Sequence, residues 1–217
     1  MIEIKSLSFS YNNKAPYIVN DVSLKINKGE YVSIIGENGC GKSTLIKLLL
    51  GIVKHSKGSV AINSPKIGYV PQRLDSNSSF PITVNEALQS HLKALKLKDK
   101  SLVDNILDSL GMKKYKHRLI GSLSGGQQQK IFIARALLGE PEVLILDEPS
   151  NNIDVKSQEE IYGIIKDLNL TKGVTVVSVE HNLKAARDNS THIFEMTNNT
   201  TKLFDVEKYI AFSDLCE

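Results

Sequence analysis

The chain has 217 residues, 41% of them hydrophobic and 24% charged, which supports one domain with a full core or a core plus an inserted lobe. Its 27 basic and 24 acidic side chains leave +3 at pH 7, too small an excess to call for a nucleic-acid partner. The longest apolar stretch, residues 45–53, is broken by Lys47 and Gly51 and falls far short of the ~20 residues that cross a bilayer, so a membrane role is expected to run through a partner chain.

The opening Met1-Ile2-Glu3-Ile4-Lys5 lacks the basic and apolar regions of a secretory signal, and a cytosolic protein is expected. Two cysteines, Cys40 and Cys216, argue against a disulfide framework and belong to no Cys/His cluster with metal-ligand spacing. An N-x-S match at Asn77 therefore reads as chance.

Residues 1–30 alternate polar and apolar in short runs, Ile2-Glu3-Ile4 and Val22-Ser23-Leu24-Lys25-Ile26, and predict antiparallel strands that end at Lys28-Gly29-Glu30. Tyr31-Val32-Ser33-Ile34-Ile35 predicts a strand buried on both faces. A glycine loop and an apolar helix from about Ser43 to Leu50 follow, the order strand, phosphate loop, helix. Residues 59–62 and 66–70 predict two more strands, which would complete a small antiparallel lobe made of 1–30 and 58–70.

Residues 74–138 turn helical. Thr83-Val84-Asn85-Glu86 is a capping box, and Ser101 opens a stripe of Leu102, Ile106 and Leu110 that Gly111 stops. Strands return at 143–146 and 174–179 around a helix that carries Ile161, Ile164, Ile165 and Leu168 at core spacing. This β-α-β alternation implies parallel strands with a right-handed crossover. Residues 191–205, with Asn198-Asn199 midway, read as a hairpin.

Two stretches carry chemistry. In Gly36-Glu37-Asn38-Gly39-Cys40-Gly41-Lys42-Ser43-Thr44 the glycines let backbone N–H groups turn inward, and the helix that starts there adds its positive end. Lys42 is expected to reach the β- and γ-phosphates, Ser43 to ligate Mg²⁺ and Thr44 to contact the α-phosphate; Cys40 reads as a spacer that fits the loop. In Val143-Leu144-Ile145-Leu146-Asp147-Glu148-Pro149 a buried strand delivers Asp147 to a metal, and Glu148 is placed to orient and deprotonate an attacking water. Alone, such an acidic pair would compete with an ordinary surface pair after a strand.

Between these stretches lies Leu123-Ser124-Gly125-Gly126-Gln127. A phosphate loop alone leaves many nucleotide-binding families open, but this pentapeptide in this order resembles the signature of the ATP-binding cassette of ABC transporters. The resemblance covers nearly the whole chain. It implies an α/β fold in a single domain over 1–217: a P-loop NTPase (RecA-like) core at 31–57 and 139–217, a small antiparallel β-subdomain, and an inserted α-helical subdomain at 74–138.

The same resemblance implies ATP and Mg²⁺ as cofactors and assigns further roles. Tyr11 resembles the aromatic that stacks on adenine, the alternative being an ordinary strand aromatic. Gln72, after Gly68-Tyr69-Val70-Pro71, matches the glutamine that contacts Mg²⁺ and the attacking water. His181 matches the switch histidine that senses the γ-phosphate, whereas His55, His91, His117 and His192 are left as surface or packing residues. Ser124, Gly125, Gly126 and Gln127 would face the γ-phosphate held by a second copy, arranged head to tail, with Asp154 in the D-loop.

The implied partners are that second copy, integral membrane permease subunits and, indirectly, an extracytoplasmic solute-binding protein, which places the chain on the cytoplasmic face of the cell membrane. No nucleic acid is expected. Three residues depart from the family pattern: Asn152 stands where a small residue is usual, ahead of the Leu or Val position before Asp154, and Glu180 and Asn182 flank His181 where Ser and Asp are commoner. Residues 67–73 and 80–86 resemble the ATP-binding subunits of zinc and manganese importers. The other readings are the ATPase of a different importer or an exporter, and a soluble ABC ATPase, which usually carries two cassettes or a long coiled-coil insertion; neither is visible here. A regulatory cassette without turnover is disfavoured by the intact Lys42, Asp147, Glu148 and His181.

Overall fold

A computed structural model describes residues 1–72, 81–197 and 200–214. The elements run β1 (Ile2–Phe9), β2 (Val19–Ile26), β3 (Tyr31–Gly36), α1 (Lys42–Leu49), β4 (Lys57–Ile62), β5 (Ile67–Val70), α2 (Val84–Ala94), α3 (Ser101–Ser109), α4 (Gly125–Leu137), β6 (Val143–Asp147), α5 (Val155–Lys172), β7 (Thr175–Val179), α6 (Leu183–Asn189), β8 (His192–Met196), β9 (Thr201–Asp205) and α7 (Val206–Asp214).

Two sheets share one helix. The smaller is antiparallel, in the order β2-β1-β4, and its alternating pattern turns Ile2, Ile4, Val22, Leu24 and Ile26 inward. The larger has the order β5-β6-β7-β3-β8-β9, parallel throughout except for β9. α1 lies between them, and Leu45, Ile46, Leu48 and Leu49 join the apolar cores of both. The central strands β6 and β7 are buried at every position, as continuous apolar runs in a covered parallel sheet require. On the opposite face, α5 packs Ile161, Ile165 and Leu168 against Tyr31, Leu144, Leu146 and Val176.

Helices α2, α3 and α4 form a separate apolar cluster that includes Val84, Leu88, Leu107 and Ile131. The capping box is present: Thr83 Oγ1 accepts from the Glu86 backbone N–H at 3.2 Å, and Glu86 Oε2 accepts from the Thr83 N–H at 2.8 Å. Helix α4 belongs to both bodies. Ile131, Ala134 and Leu138 face the helical cluster, while Ile133, Ala136 and Leu137 face the core.

Two expectations are corrected. β5, assigned to the antiparallel lobe, pairs in parallel with β6, Ile67 opposite Val143 through Val70 opposite Leu146, and forms the edge of the core sheet. Four residues of β-pattern do not encode which sheet they join; the neighbours β6 and α4 decide it. In α3 the fully buried stripe is Val103, Leu107 and Leu110, with Leu102 and Ile106 only partly buried, because Ile106 bridges toward the core cluster. The β8–β9 hairpin is present, with His192 opposite Asp205 and Met196 opposite Thr201. Arg73, Asn77, Phe80, Asn198-Asn199 and Cys216 lie outside the described residues.

Candidate functional site

β3 ends at Gly36, the loop turns, and α1 begins at Lys42 with Gly41 as its N-cap. Gly41 has φ 100°, and a Cβ there would stand 2.8 Å from the Ile18 carbonyl oxygen, so both conformation and space demand glycine. The first-turn N–H groups of α1 point into the loop, where an anion is favoured by the helix dipole. Lys42 is buried, and its Nζ donates to the carbonyls of Gly36 at 2.7 Å and Glu37 at 2.9 Å.

Asp147 ends β6 and is buried. Ser43 Oγ donates to its Oδ1 at 3.2 Å, which joins the loop to the acidic strand end. Burial raises the Asp147 carboxyl above its ordinary pKa and the neighbouring Glu148 adds to this, against the lowering effect of the Ser43 hydrogen bond.

Glu148 follows at φ 52°. Its Oε2 accepts from Gln72 Nε2 at 2.7 Å and from Asn151 Nδ2 at 2.8 Å, and its Oε1 meets His181 Nε2 at 2.6 Å. A carboxylate only accepts, so His181 Nε2 carries the hydrogen. The sheet makes this meeting possible, since β6 and β7 are adjacent and parallel and deliver Glu148 and His181 to the same edge.

An open cleft of 190 Å³ is lined by Asn38, Gly39, Gly41, Lys42, Ser43 and Thr44 on the loop side and by Glu148 and His181 opposite. Gly36, Glu37 and Cys40 shape the loop without lining this cleft. Ile18, just before β2, does line it and was not a candidate. No periodicity marks it; its exposure at 38% is the only sign, and that is visible only in the fold. Asn151 was also missed, because its contact depends on the turn after Glu148. Tyr11 is not a strand aromatic: it lies in the turn beyond β1, 67% exposed and edge-on to Phe9 at 5.0 Å, outside the lining of the cleft.

Ser124, Gly125, Gly126, Gln127 and Asp154 form a second cluster, none of whose residues lines the cleft. Ser124 caps α4: its Oγ accepts from the Gln127 N–H at 3.3 Å, while Gln127 Oε1 accepts from the Ser124 N–H at 3.0 Å. Asp154 caps α5 by accepting from the Ser157 N–H at 3.0 Å. The two helix starts touch, since a Cβ on Gly126 would lie 2.3 Å from Ser157 Oγ. Asn152, which stands where a small residue is usual, occupies φ 57°, a left-handed turn position that asparagine tolerates better than most residues with a Cβ. Asn182 likewise has a local reason, as it caps α6 by accepting from the Ala185 N–H at 3.2 Å.

Residues 19–151, more than half the chain, match the ABC transporter family. A protein of Treponema pallidum named "Probable metal transport system ATP-binding protein" is 44% identical over 208 residues, covering 96% of this chain and 87% of its own length. The zinc uptake system ATP-binding protein ZurA of Listeria innocua is 38% identical over 222 residues, covering 94% and 85%. Among solved structures, a dimeric bacterial ABC transporter cassette aligns with a TM-score of 0.81 at 27% identity, covering 95% of this chain and 99% of that one. The chain belongs to the ABC transporter family, as its ATPase cassette.

Proposed function

We propose that this chain is the ATP-hydrolysing subunit that powers a metal-ion importer, acting through a separate permease on the cytoplasmic face of the membrane. Among the described residues no helix is long and apolar enough to cross a bilayer. The reading of zinc- or manganese-type cargo is supported by the names of the relatives, which are a metal transport protein and a zinc uptake protein. An extracytoplasmic solute-binding protein is proposed to deliver that cargo.

One observation carries the catalytic reading: Glu148 faces the phosphate loop with its carboxylate held by Gln72, Asn151 and His181. The loop N–H groups and Lys42 bind the β- and γ-phosphates, Thr44 contacts the α-phosphate, and Tyr11 stacks on adenine. Water attacks the γ-phosphorus, the bond to the ADP oxygen breaks, and Glu148 takes up the water proton while His181 holds its other oxygen. Ser43, Asp147 and Gln72 would hold Mg²⁺. Their hydroxyl, carboxylate and amide oxygens are the hard donors that ion selects, and the Ser43–Asp147 contact brings two of them together. Bound there, Mg²⁺ neutralises charge on the phosphates.

The cleft is lined by this chain's loop with Glu148 and His181 opposite, and its own signature residues lie elsewhere. A second copy is therefore proposed to bring Ser124, Gly125, Gly126 and Gln127 to the γ-phosphate, with Asp154 at the interface. Glu148→Gln is expected to lower ATP turnover by about 10² to 10⁴ while nucleotide binding persists. Near-normal phosphate release by that variant overturns the assignment of the base.

A further inference from the structure

On the α5 face of the core sheet, behind the cleft, lies a buried polar cluster that the nucleotide reading leaves unused. Glu180 is 2% exposed, although it immediately precedes His181. Its Oε2 accepts from the Tyr162 hydroxyl of α5 at 2.7 Å, and its Oε1 accepts from Ser178 Oγ of β7. The Tyr162 oxygen also meets Ser150 Oγ at 2.8 Å. Because the tyrosine hydrogen goes to Glu180, Ser150 is the donor in that contact.

This run of groups joins three pieces of the site. Ser150 is two residues past Glu148, Tyr162 belongs to the helix that Asp154 caps, and Glu180 is bonded directly to His181 in the chain. The backbone closes the same connection, since the Glu180 N–H donates to Ile34 of β3 at 2.9 Å and the Glu148 N–H donates to Val179 at 3.2 Å. Burying a carboxyl costs stability, and apolar residues of similar size would fill such a space at lower cost. Asn152 and Asn182 have local conformational reasons; Glu180 has none, because it caps no helix and lies in no turn that needs it.

Resting on the reading of Glu148 as base and His181 as its partner, we propose that Glu180 is a positioning residue for hydrolysis. Through Tyr162 and Ser150 it fixes the strand end that bears Glu148 against the turn that bears His181, so that their contact stands formed before water attacks. The carboxyl faces Ser178 on its own segment, Tyr162 from α5, Tyr31 from β3 and Glu148 from the end of β6. The Tyr31 hydroxyl is buried beside Ser178 and the same carboxyl. Burial lifts Glu180 to about 7, and the ionised form only accepts, whereas protonation turns one of its oxygens into a donor and so alters its contacts with the two hydroxyls.

The test is steady-state ATP hydrolysis with nucleotide binding by the full chain as wild type, Glu180→Gln, Tyr162→Phe and the double variant. Each single change is expected to lower kcat about tenfold with KM for ATP held within about twofold, since the geometry of the base, and not ground-state binding, is lost. The double variant is expected to be no slower than the slower single, as for groups that act as one unit. The wild-type rise in kcat between about pH 6 and pH 8 is expected to flatten in Glu180→Gln.

Retained kcat in Glu180→Gln, or losses that multiply in the double variant, overturn the proposal. If Glu180→Gln does not fold, Tyr162→Phe and Ser150→Ala carry the same kinetic test. A Glu148→Gln variant that still hydrolyses ATP overturns the base reading itself; an inactive Glu148→Gln beside a fully active Glu180→Gln sinks only the role of Glu180.

Discussion

Glu148 occupies a backbone region that costs a residue with a Cβ about 1–3 kcal/mol, and the costs of such strain are met by surrounding structure. Here the surroundings are explicit: its N–H is tied to Val179, and its carboxylate to Gln72, Asn151 and His181. Glu180 is a second residue held against a cost, and its effect on stability has a definite sign. Its carboxyl is raised from 4.5 to about 7, so the native state binds the proton more tightly than the unfolded chain. The stability this contributes is fully present below pH 4.5 and is lost as pH rises through about 7. By linkage the loss is about 3 kcal/mol at most. Glu180→Gln, which cannot ionise, is expected to be more stable than wild type at pH 8 and no more stable at pH 4.5, as read from denaturant midpoints at the two values. An equal difference at both would show that the carboxyl is not the source. Lys42 and Ser43 were legible from spacing, because a phosphate loop fixes its residues locally. Ile18, Asn151 and Glu180 were not, because their partners arrive from other elements.

At the level of elements, the contact between the starts of α4 and α5 links the signature to the D-loop within one chain. Gly126 presses on Ser157, and a Cβ there would also approach Ile153 at 3.4 Å. Gly126→Ala is therefore expected to cost about 1–3 kcal/mol by overpacking. The same change made on a Ser157→Gly background is expected to cost close to nothing, because the obstructing atoms are gone. Urea midpoints for the four chains of this cycle measure the coupling, and additive losses would falsify the packing account. The signature at the start of α4 was readable, but the reason its second glycine is obligatory was not: the obstructing Ser157 lies 31 residues later. β5 teaches the same lesson. Its apolar run was visible, and the sheet it joins was set by β6.

For the whole molecule the decisive feature is a separation. The loop, Glu148 and His181 line one cleft, with Asp147 buried against Ser43, whereas Ser124, Gly125, Gly126, Gln127 and Asp154 gather in another cluster. That separation is the reason for proposing that a second copy completes the site. Glu148→Gln with ATP and Mg²⁺ is expected to sediment at twice the chain's mass, and at the single mass without nucleotide. A nucleotide-bound species that stays single sinks the two-copy site. Uptake by the reconstituted complex across a panel of divalent metals tests the cargo, which no residue of the cleft reports on.

The phosphate loop, the acidic strand end, the signature, most helix starts and the parallel core were legible in the order of residues alone. Each of these is written in short-range chemistry: glycines that free the backbone, apolar periodicity, caps within four residues. Tertiary structure alone decided that β5 belongs to the core sheet, that Gln72, Asn151 and His181 converge on Glu148, and that Glu180 is buried behind them. Those outcomes depend on which strands become neighbours, a choice made by packing between segments far apart in the chain.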